Sequence, residues 1–188
     1  MNYKYIIIGG SAGSFQTVTE ILSALPQDFK MPIFLCLHRL KHVRAGFVEA
    51  LSIKSSIKII EPDDKEIVRK GKAYLAPANY HMYFEFGNYI ALSTEASVNH
   101  SRPSIDISFA SAAQVYGSKM VGVILSGANK DGALGLKKIK ENGGLTIVQD
   151  PDECQVRTMT EAAIETTEVD YIYNSKKIID FLIKLNRT

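Results

Sequence analysis

Three residues of this sequence, Ser11, His38 and Asp131, have the side-chain types that cooperate in nucleophilic acyl chemistry. Ser11 lies in the stretch Gly9-Gly10-Ser11-Ala12-Gly13, a G-x-S-x-G pattern that follows the apolar run Tyr5–Ile8 directly. A strand, a glycine-rich turn and a helix in that order can present a serine hydroxyl at the open end of a sheet. Small neighbours allow the sharp turn and let a substrate approach the backbone. Such a serine needs a base to take its proton and an acid to orient that base.

His38 and Asp131 are the candidates for the base and the acid. Like Ser11, each lies just beyond the carboxyl end of a predicted strand, and open α/β sheets bind ligands at that edge. His38 can accept the proton of the hydroxyl, while Asp131 can hold the imidazole in the required tautomer and stabilise the imidazolium. Each residue alone has a structural explanation: a turn serine, a polar strand-end histidine, and a helix N-cap aspartate. The three together favour catalysis. Their Ser, His, Asp order differs from that of α/β-hydrolases, which argues against that fold rather than against the chemistry.

The elements that position these residues alternate along the chain between short apolar runs and amphipathic stretches. This alternation is typical of βαβ units and a mostly parallel sheet. Strands are predicted at 6–8, 32–37, 57–60, 73–76, 121–125 and 145–148. Helices are predicted after an N-cap at Ser14, around 44–51, from about Ser104 to Tyr116, from about Asp131 to Gly143, and along a final face of Ile178, Leu182 and Leu185. Gly87-Asn88 predicts a hairpin between 82–86 and 89–93. The predicted fold is a three-layer α/β sandwich, mostly parallel, with one antiparallel hairpin.

Composition limits the class of protein. At 188 residues the chain is expected to form a single domain spanning 1–188, and 46% hydrophobic residues suit a globular core. A net charge of +2 is too small to indicate a nucleic-acid partner. No apolar run approaches the roughly 20 residues that cross a bilayer, so membrane insertion is not expected. The beginning of the chain lacks the features of a signal peptide, and the two cysteines lie in dissimilar surroundings. A cytoplasmic location is the prediction.

Other sites that could use the same residues fit the sequence less well. A dinucleotide fingerprint would need glycine where Ser11 and Ser14 stand, and no G-K-[ST] follows to make a P-loop. His38 and His42 have the spacing of a zinc helix but lack the accompanying glutamate, and His38 ends a strand. Cys154 has no evident base beside it. The sequence therefore predicts neither a cofactor nor a metal.

Several ordered blocks resemble one known family. The blocks are Ile8–Ser14, His38 after a strand, Tyr74–His81, Arg102–Asp106, Val121–Gly127 with Lys130–Gly132, Gln149-Asp150 and Met159–Ile164. Together they resemble the catalytic domain of the CheB-type protein-glutamate methylesterases over about residues 4–165. The resemblance implies hydrolysis of γ-glutamyl methyl esters on methyl-accepting receptors, with release of methanol, and deamidation of particular glutamines. It also implies the same Ser, His, Asp chain order.

By position, the resemblance makes Ser11 the nucleophile, His38 the general base and Asp131 the orienting acid. It places the backbone N–H of Ala128 where the family has an oxyanion donor. It implies a methylated chemoreceptor or related signalling protein as partner. Family members carry an N-terminal receiver domain, and nothing precedes the first strand here, so a separate regulatory receiver protein is one expectation; constitutive activity and an excised domain are the others.

The chain departs from the family pattern around these residues. Ser11-Ala12-Gly13-Ser14 replaces a common S-T-G-G, and Ser126-Gly127-Ala128-Asn129 replaces a common T-G-M-G. Leu37 stands where the family usually has a glutamine. These changes leave one alternative to the esterase, a non-catalytic docking module on the same fold. The strand–glycine turn–helix leaves a second alternative, a nucleotide-binding module.

Overall fold

Residues 3–39 and 46–187 are described in a computed structural model, where they form ten strands and six α-helices. The strands are β1 Tyr5–Gly10, β2 Ile33–Leu37, β3 Lys58–Ile60, β4 Glu66–Ile67, β5 Lys72–Leu75, β6 His81–Glu85, β7 Tyr89–Ser93, β8 Met120–Ile124, β9 Leu145–Gln149 and β10 Tyr171–Tyr173. The helices are α1 Ser14–Ala24, α2 Phe47–Ser52, α3 Ile105–Tyr116, α4 Ala133–Glu141, α5 Thr158–Thr166 and α6 Ser175–Leu185.

Seven strands form one entirely parallel sheet in the order β10-β9-β8-β1-β2-β5-β3. In β1, Ile6 and Ile8 point to one face and Ile7 to the other, and all three are fully buried. Two-sided burial of this kind explains the uninterrupted aliphatic run, because helices cover both faces of a parallel sheet. One layer contains α1, α2 and α6, and the other contains α3, α4 and α5. The predicted three-layer α/β sandwich is confirmed.

The antiparallel hairpin is also present, but in a separate three-stranded sheet ordered β4-β7-β6. It packs through Met82, Phe84 and Ile90 against the layer of α3, where Phe34 and Phe109 complete the cluster. The hairpin therefore extends the core on one side of the main sheet and contributes no strand to it.

Several element boundaries differ from the sequence prediction. Ser14 is the first residue of α1 and not its N-cap; Gly13 takes that position with a φ of 82°. The predicted helix at 44–51 is observed as α2 from Phe47, and its first two predicted residues lie outside the described part. The short edge strand β10 and helix α5 were not predicted. Within the described ranges, no helix is both long and apolar enough to cross a membrane.

The topology brings the predicted site together at the carboxyl edge of the main sheet. β1 lies between β2 and β8 in the sheet. The connection after β1 leads to β2 on one side, whereas β8 and the strands after it add on the other side, and this reversal of strand order makes a crevice at the carboxyl edge. The register pairs Gly10 with Leu37, which places Ser11 beside His38. On the other side Gly9 pairs with Ile124, the last residue of β8, and the loop after β8 leads to Asp131.

Candidate active site

The turn that carries Ser11 is fixed by its backbone. The Ser11 N–H donates to the Ser126 carbonyl at 2.9 Å, and the Ser11 carbonyl accepts from the N–H and hydroxyl of Ser14 at 3.0 and 2.7 Å. Two glycines make this geometry possible. A Cβ on Gly10 would lie 2.6 Å from the Ser14 Oγ, and one on Gly13 would lie 2.8 Å from the Ser126 Oγ. Within the described residues, the Ser11 hydroxyl neither donates nor accepts a hydrogen bond.

His38 is held at three points. Its backbone N–H donates to the Gly10 carbonyl at 3.0 Å, and its Nε2 lies 2.8 Å from Asp131 Oδ2. Its Nδ1 lies 3.4 Å from the Ser101 hydroxyl. An ionised carboxylate can only accept, so Nε2 carries the proton of the neutral ring and Nδ1 has the free lone pair. Nδ1 is therefore the nitrogen that can act as a base.

Asp131 is fully buried, and five groups donate to its carboxylate. Oδ2 accepts from His38 and from the Ile105 N–H, and Oδ1 accepts from Asn99, Ser104 and the Asp106 N–H, at distances of 2.7 to 3.1 Å. The two backbone donors, the N–H groups of Ile105 and Asp106, belong to the N-terminus of α3, where the helix dipole favours an anion. Asp131 thus caps α3, whereas its sequence position had indicated the N-cap of α4.

The hydrogen bonds decide the charge of Asp131. Burial by itself would raise the pKa of this carboxyl, but the donors from His38, Ile105, Asp106 and Asn99 outweigh burial and hold the pKa below its usual value. An Asp131 that stays ionised can stabilise an imidazolium at His38. The arrangement is the one that acid–base activation of a hydroxyl requires.

Ser11 and His38 line the same open cavity of about 560 Å³, together with Asn99, Ser101 and Asn129 among others. Within the described residues no hydrogen bond joins Ser11 and His38, and the Ser101 hydroxyl is the hydrogen-bond partner of His38 Nδ1. Catalytic hydrogen bonds are often long in structures without substrate.

The segment between β8 and α4 forms another wall of the cavity. Gly127 donates to the Val156 carbonyl at 3.0 Å, and a Cβ there would lie 2.5 Å from Met159 Cε. The Asn129 side chain accepts from the Asp131 N–H at 3.1 Å. Ala128, between these anchors, is exposed, and its N–H donates to no acceptor in the described part of the chain. That N–H is available to a ligand.

Comparison with known proteins identifies the fold and its relatives. The sequence model of the CheB methylesterase family matches residues 6–182. The chain belongs to the CheB methylesterase family. A solved structure, the Thermotoga maritima CheB methylesterase catalytic domain, superposes with a TM-score of 0.92 at 31% identity, over 98% of this chain and all of that one.

Curated relatives of this CheB-family chain fall into two length classes. A Leptospira interrogans protein, provisionally named a protein-glutamate methylesterase/protein-glutamine glutaminase, is 44% identical over 187 residues, which cover this whole chain and 97% of the relative. A Clostridium acetobutylicum protein of the same name is 34% identical over 182 residues, 97% of this chain but 53% of the relative. The chain thus spans nearly all of one relative and about half of the other.

Three site residues of this CheB-family chain were missed by the sequence analysis: Asn99, Ser101 and the hydroxyl of Ser104 as a partner of Asp131. Asn99 and Ser101 lie in a tight turn, in which Val98 and Ser101 exchange backbone hydrogen bonds of 3.1 and 2.9 Å. The two middle residues of the turn have φ of 51° and 61°. An asparagine followed by a polar residue is a signal for such a turn, since asparagine tolerates positive φ. Nothing in the sequence indicates that the turn meets Asp131.

The sequence predicts that His38 and His42 do not form a zinc site. His42, half of the zinc-like spacing, lies outside the described residues. Across residues 3–39 and 46–187, no three His, Cys, Asp or Glu side chains are grouped so that they could hold a metal ion. Cys154 is half-buried, and burial raises the pKa of its thiol, which makes it a poor nucleophile at neutral pH.

Proposed function

We propose that this CheB-family chain is a serine hydrolase that removes methyl esters from glutamate side chains of chemoreceptor-like proteins and deamidates glutamine side chains. The hydrolase class is supported by the family membership and by the names of the relatives. The observation that carries the mechanism is the hydrogen bond between His38 Nε2 and the buried Asp131. It leaves Nδ1 unprotonated on the cavity that Ser11 lines.

In the first half-reaction, the Ser11 Oγ attacks the ester carbonyl carbon while His38 Nδ1 accepts the hydroxyl proton. Asp131 stabilises the imidazolium through Nε2. The negative charge on the tetrahedral carbonyl oxygen would be met by the free N–H of Ala128. Collapse breaks the bond to the methoxy group, which takes the proton from Nδ1 and leaves as methanol. The glutamyl group is then an ester of Ser11.

In the second half-reaction, water takes the place of the serine hydroxyl. His38 Nδ1 accepts a proton from water, the hydroxide oxygen attacks the acyl carbon, and the proton returns to the Ser11 Oγ as it leaves. The product is a glutamate carboxylic acid, which ionises. A glutamine substrate follows the same path with ammonia as the leaving group, so one site serves both activities.

The biological setting follows from the same relationship. We infer that the chain acts as one domain spanning 1–188, in the cytoplasm, on a methylated chemoreceptor or a related signalling protein. Several relatives are about twice as long as this chain, as the Clostridium acetobutylicum protein illustrates. A separate receiver protein that covers the cavity is the regulatory partner we propose.

The experiment compares methanol release from a methylated receptor by the wild-type chain and by Ser11→Ala. Ser11→Ala is expected to lose essentially all release while still folding. Equal release by both proteins would defeat the nucleophile assignment. Receptor binding by the wild type without any methanol or ammonia release would support the docking module instead. Binding of a mononucleotide or dinucleotide in a calorimetric titration would support the nucleotide-binding module.

A further inference from the structure

Asn99 touches both acidic side chains at the centre of the site. Its Nδ2 lies 3.1 Å from Asp131 Oδ1 and 3.1 Å from Asp106 Oδ2. A primary amide has two N–H groups, so it can give one to each carboxylate at the same time. Asn99 is therefore a neutral bridge between two anions.

The two carboxylates would otherwise interact unfavourably. Burial raises the pKa of Asp106, the negative charge of Asp131 adds to the rise, and the two side chains are close enough to share a hydrogen bond. Two like charges in a poorly solvated site repel each other, so both need nearby hydrogen-bond donors that partly compensate their negative charge. The Asp106 Oδ1 is already occupied by the N–H groups of Gly132 and Gly135, at 2.9 and 2.7 Å. Its remaining oxygen is the one that Asn99 covers.

The backbone of Asn99 also links the pair to the base. Asn99 is the first of two positive-φ residues in the turn that ends at Ser101. The Ser101 hydroxyl lies 3.4 Å from His38 Nδ1 and 3.4 Å from the Asn99 carbonyl. One residue thus contacts the acid through its side chain and sets the position of the group beside the base through its main chain.

We propose that Asn99 is a positioning residue that bridges Asp131 and Asp106, partly compensates both negative charges, and thereby sets the charge state of the His38–Asp131 pair. The proposal draws on the proposed hydrolase only for its activity measurement. Loss of the amide removes a donor from Asp131 and leaves its charge, and that of Asp106, less compensated. The field at His38 becomes more negative, so its ring is protonated at a higher pH.

Other charged and titratable groups surround His38 and Asp131, and all of them are the same in the wild type and in the variants that are compared. Behind Ser104, which donates to Asp131, lie the buried Cys36 thiol and the His81 ring; Arg39 and His100 lie on the cavity side; and Lys130 precedes Asp131.

The test follows protonation of the His38 ring by NMR titration of the full chain, with the resonance assigned by its loss in His38→Gln. The variants are Asn99→Gly, which tolerates the positive φ, Asn99→Asp, which keeps the shape but replaces the donor with an anion, and Asn99→Gly combined with Asp106→Asn. The matched control is Asn88→Gly. Asn88 also has positive φ, and it binds Tyr116 at the far end of α3, about 15 Å from Asp106 along that helix.

The midpoint of the His38 titration is expected to rise in Asn99→Gly and to rise further in Asn99→Asp. It should stay at the wild-type value in Asn88→Gly. Asp106→Asn should return the Asn99→Gly midpoint toward the wild type, because the new amide keeps an oxygen for Gly132 and Gly135 and turns a donor toward Asp131. The acidic limb of kcat/KM should move in parallel.

An unchanged midpoint in folded Asn99→Gly and Asn99→Asp would overturn the proposal. A loss of kcat without a midpoint shift would also overturn it, because a residue that only shapes the turn gives that result. A midpoint shift that Asp106→Asn fails to reverse would show that the shift does not arise from the Asp106 charge, and would overturn it as well. If the wild type hydrolysed no ester, the proposed function would fail, but the titration would still decide the role of Asn99.

Discussion

Replacing Asp131 with asparagine changes one atom of the proposed orienting acid. The hydrogen bonds around that atom predict which tautomer His38 then adopts. The new amide nitrogen must take the place of one carboxylate oxygen. At Oδ1 it would face the Asn99 amide, the Ser104 hydroxyl and the Asp106 N–H; at Oδ2 it would face only the Ile105 N–H and His38. We expect the second orientation, because it opposes one fixed donor and His38 can change tautomer to accept.

That tautomer blocks the chemistry. With His38 Nε2 accepting from the amide, the ring proton moves to Nδ1, the nitrogen that must receive the Ser11 proton. A wrong tautomer of this kind costs about 10⁴-fold in kcat in a serine triad, equivalent to about 5.5 kcal/mol of transition-state stabilisation. The Ile105 N–H, left buried without an acceptor, should lower the free energy of unfolding by about 1–3 kcal/mol.

The assay is kcat for methyl ester hydrolysis, with the free energy of unfolding measured in urea. The matched control is Asp170→Asn. Asp170 accepts from the Thr146 N–H and hydroxyl at 2.9 and 2.8 Å and from Lys140. It lies just before β10, remote from the cavity, so its variant should lose stability and keep activity. Asp131→Asn that retained a tenth of the wild-type kcat would refute the tautomer reasoning.

The free energy of unfolding should depend on pH differently in the wild type and in Asp131→Asn. The pKa of Asp131 is lower in the folded chain than in the unfolded chain, so its contribution to stability is complete above the unfolded value of about 3.9 and declines as pH falls through the folded value. The stability difference between wild type and Asp131→Asn should therefore be constant near neutral pH and shrink below about pH 4. A difference that grew on acidification would show the opposite sign of shift.

Three further predictions concern the surroundings of the site. Gly13→Ala should lower the free energy of unfolding by about 1–3 kcal/mol and reduce kcat, because Gly13 combines a φ of 82° with crowded surroundings. Gly46→Ala, with a φ of 89° and no atom of the described residues within 4 Å of a new Cβ, should lose less stability, and equal losses in the two variants would contradict the packing argument. Ala128→Pro removes one N–H and should lower kcat about 10²–10³-fold relative to Ala128→Gly, whereas equal kcat values would exclude that donor. Cys154 should react with iodoacetamide before Cys36, whose thiol pKa is raised strongly by complete burial, and Cys154→Ser should keep full activity; faster modification of Cys36, followed by mass spectrometry, would contradict the burial.

The main sheet could be predicted from sequence because burial on both faces leaves a strong signal. The runs in β1, β2 and β8 are continuously apolar, and the predicted glycine turn follows β1, with a φ of 82° at Gly13. Parallel strands end at one edge, so the order of the elements was enough to bring Ser11, His38 and Asp131 together. Their catalytic roles, and that of Ala128, stay predictions.

The missed elements carry weak local signals. β10 is a three-residue edge strand whose central Ile172 is exposed, and β4 has two residues. Neither shows the alternation or the apolar run that indicates a strand. The hairpin lies in a second sheet because it packs against α3. The sequence pattern within the hairpin does not indicate that contact.

The missed site contacts depend on tertiary structure in the same way. Asp131 satisfies the N-terminus of α3, although its nearest helix in sequence is α4. Asn99 reaches both carboxylates only because its turn folds against the start of α3. Local sequence indicates the turn, but the partners of its side chain are set by the packing of three separate segments.

The central claim is that Ser11 is a nucleophile activated by His38 and Asp131, and covalent labelling tests it most directly. After treatment of the whole chain with a fluorophosphonate, peptide mass spectrometry should find one adduct, on the peptide that contains Ser11. Labelling should be slowed severely in His38→Gln and Asp131→Asn and unchanged in Asp170→Asn. An adduct on another residue, or equal labelling rates in all four proteins, would contradict the account.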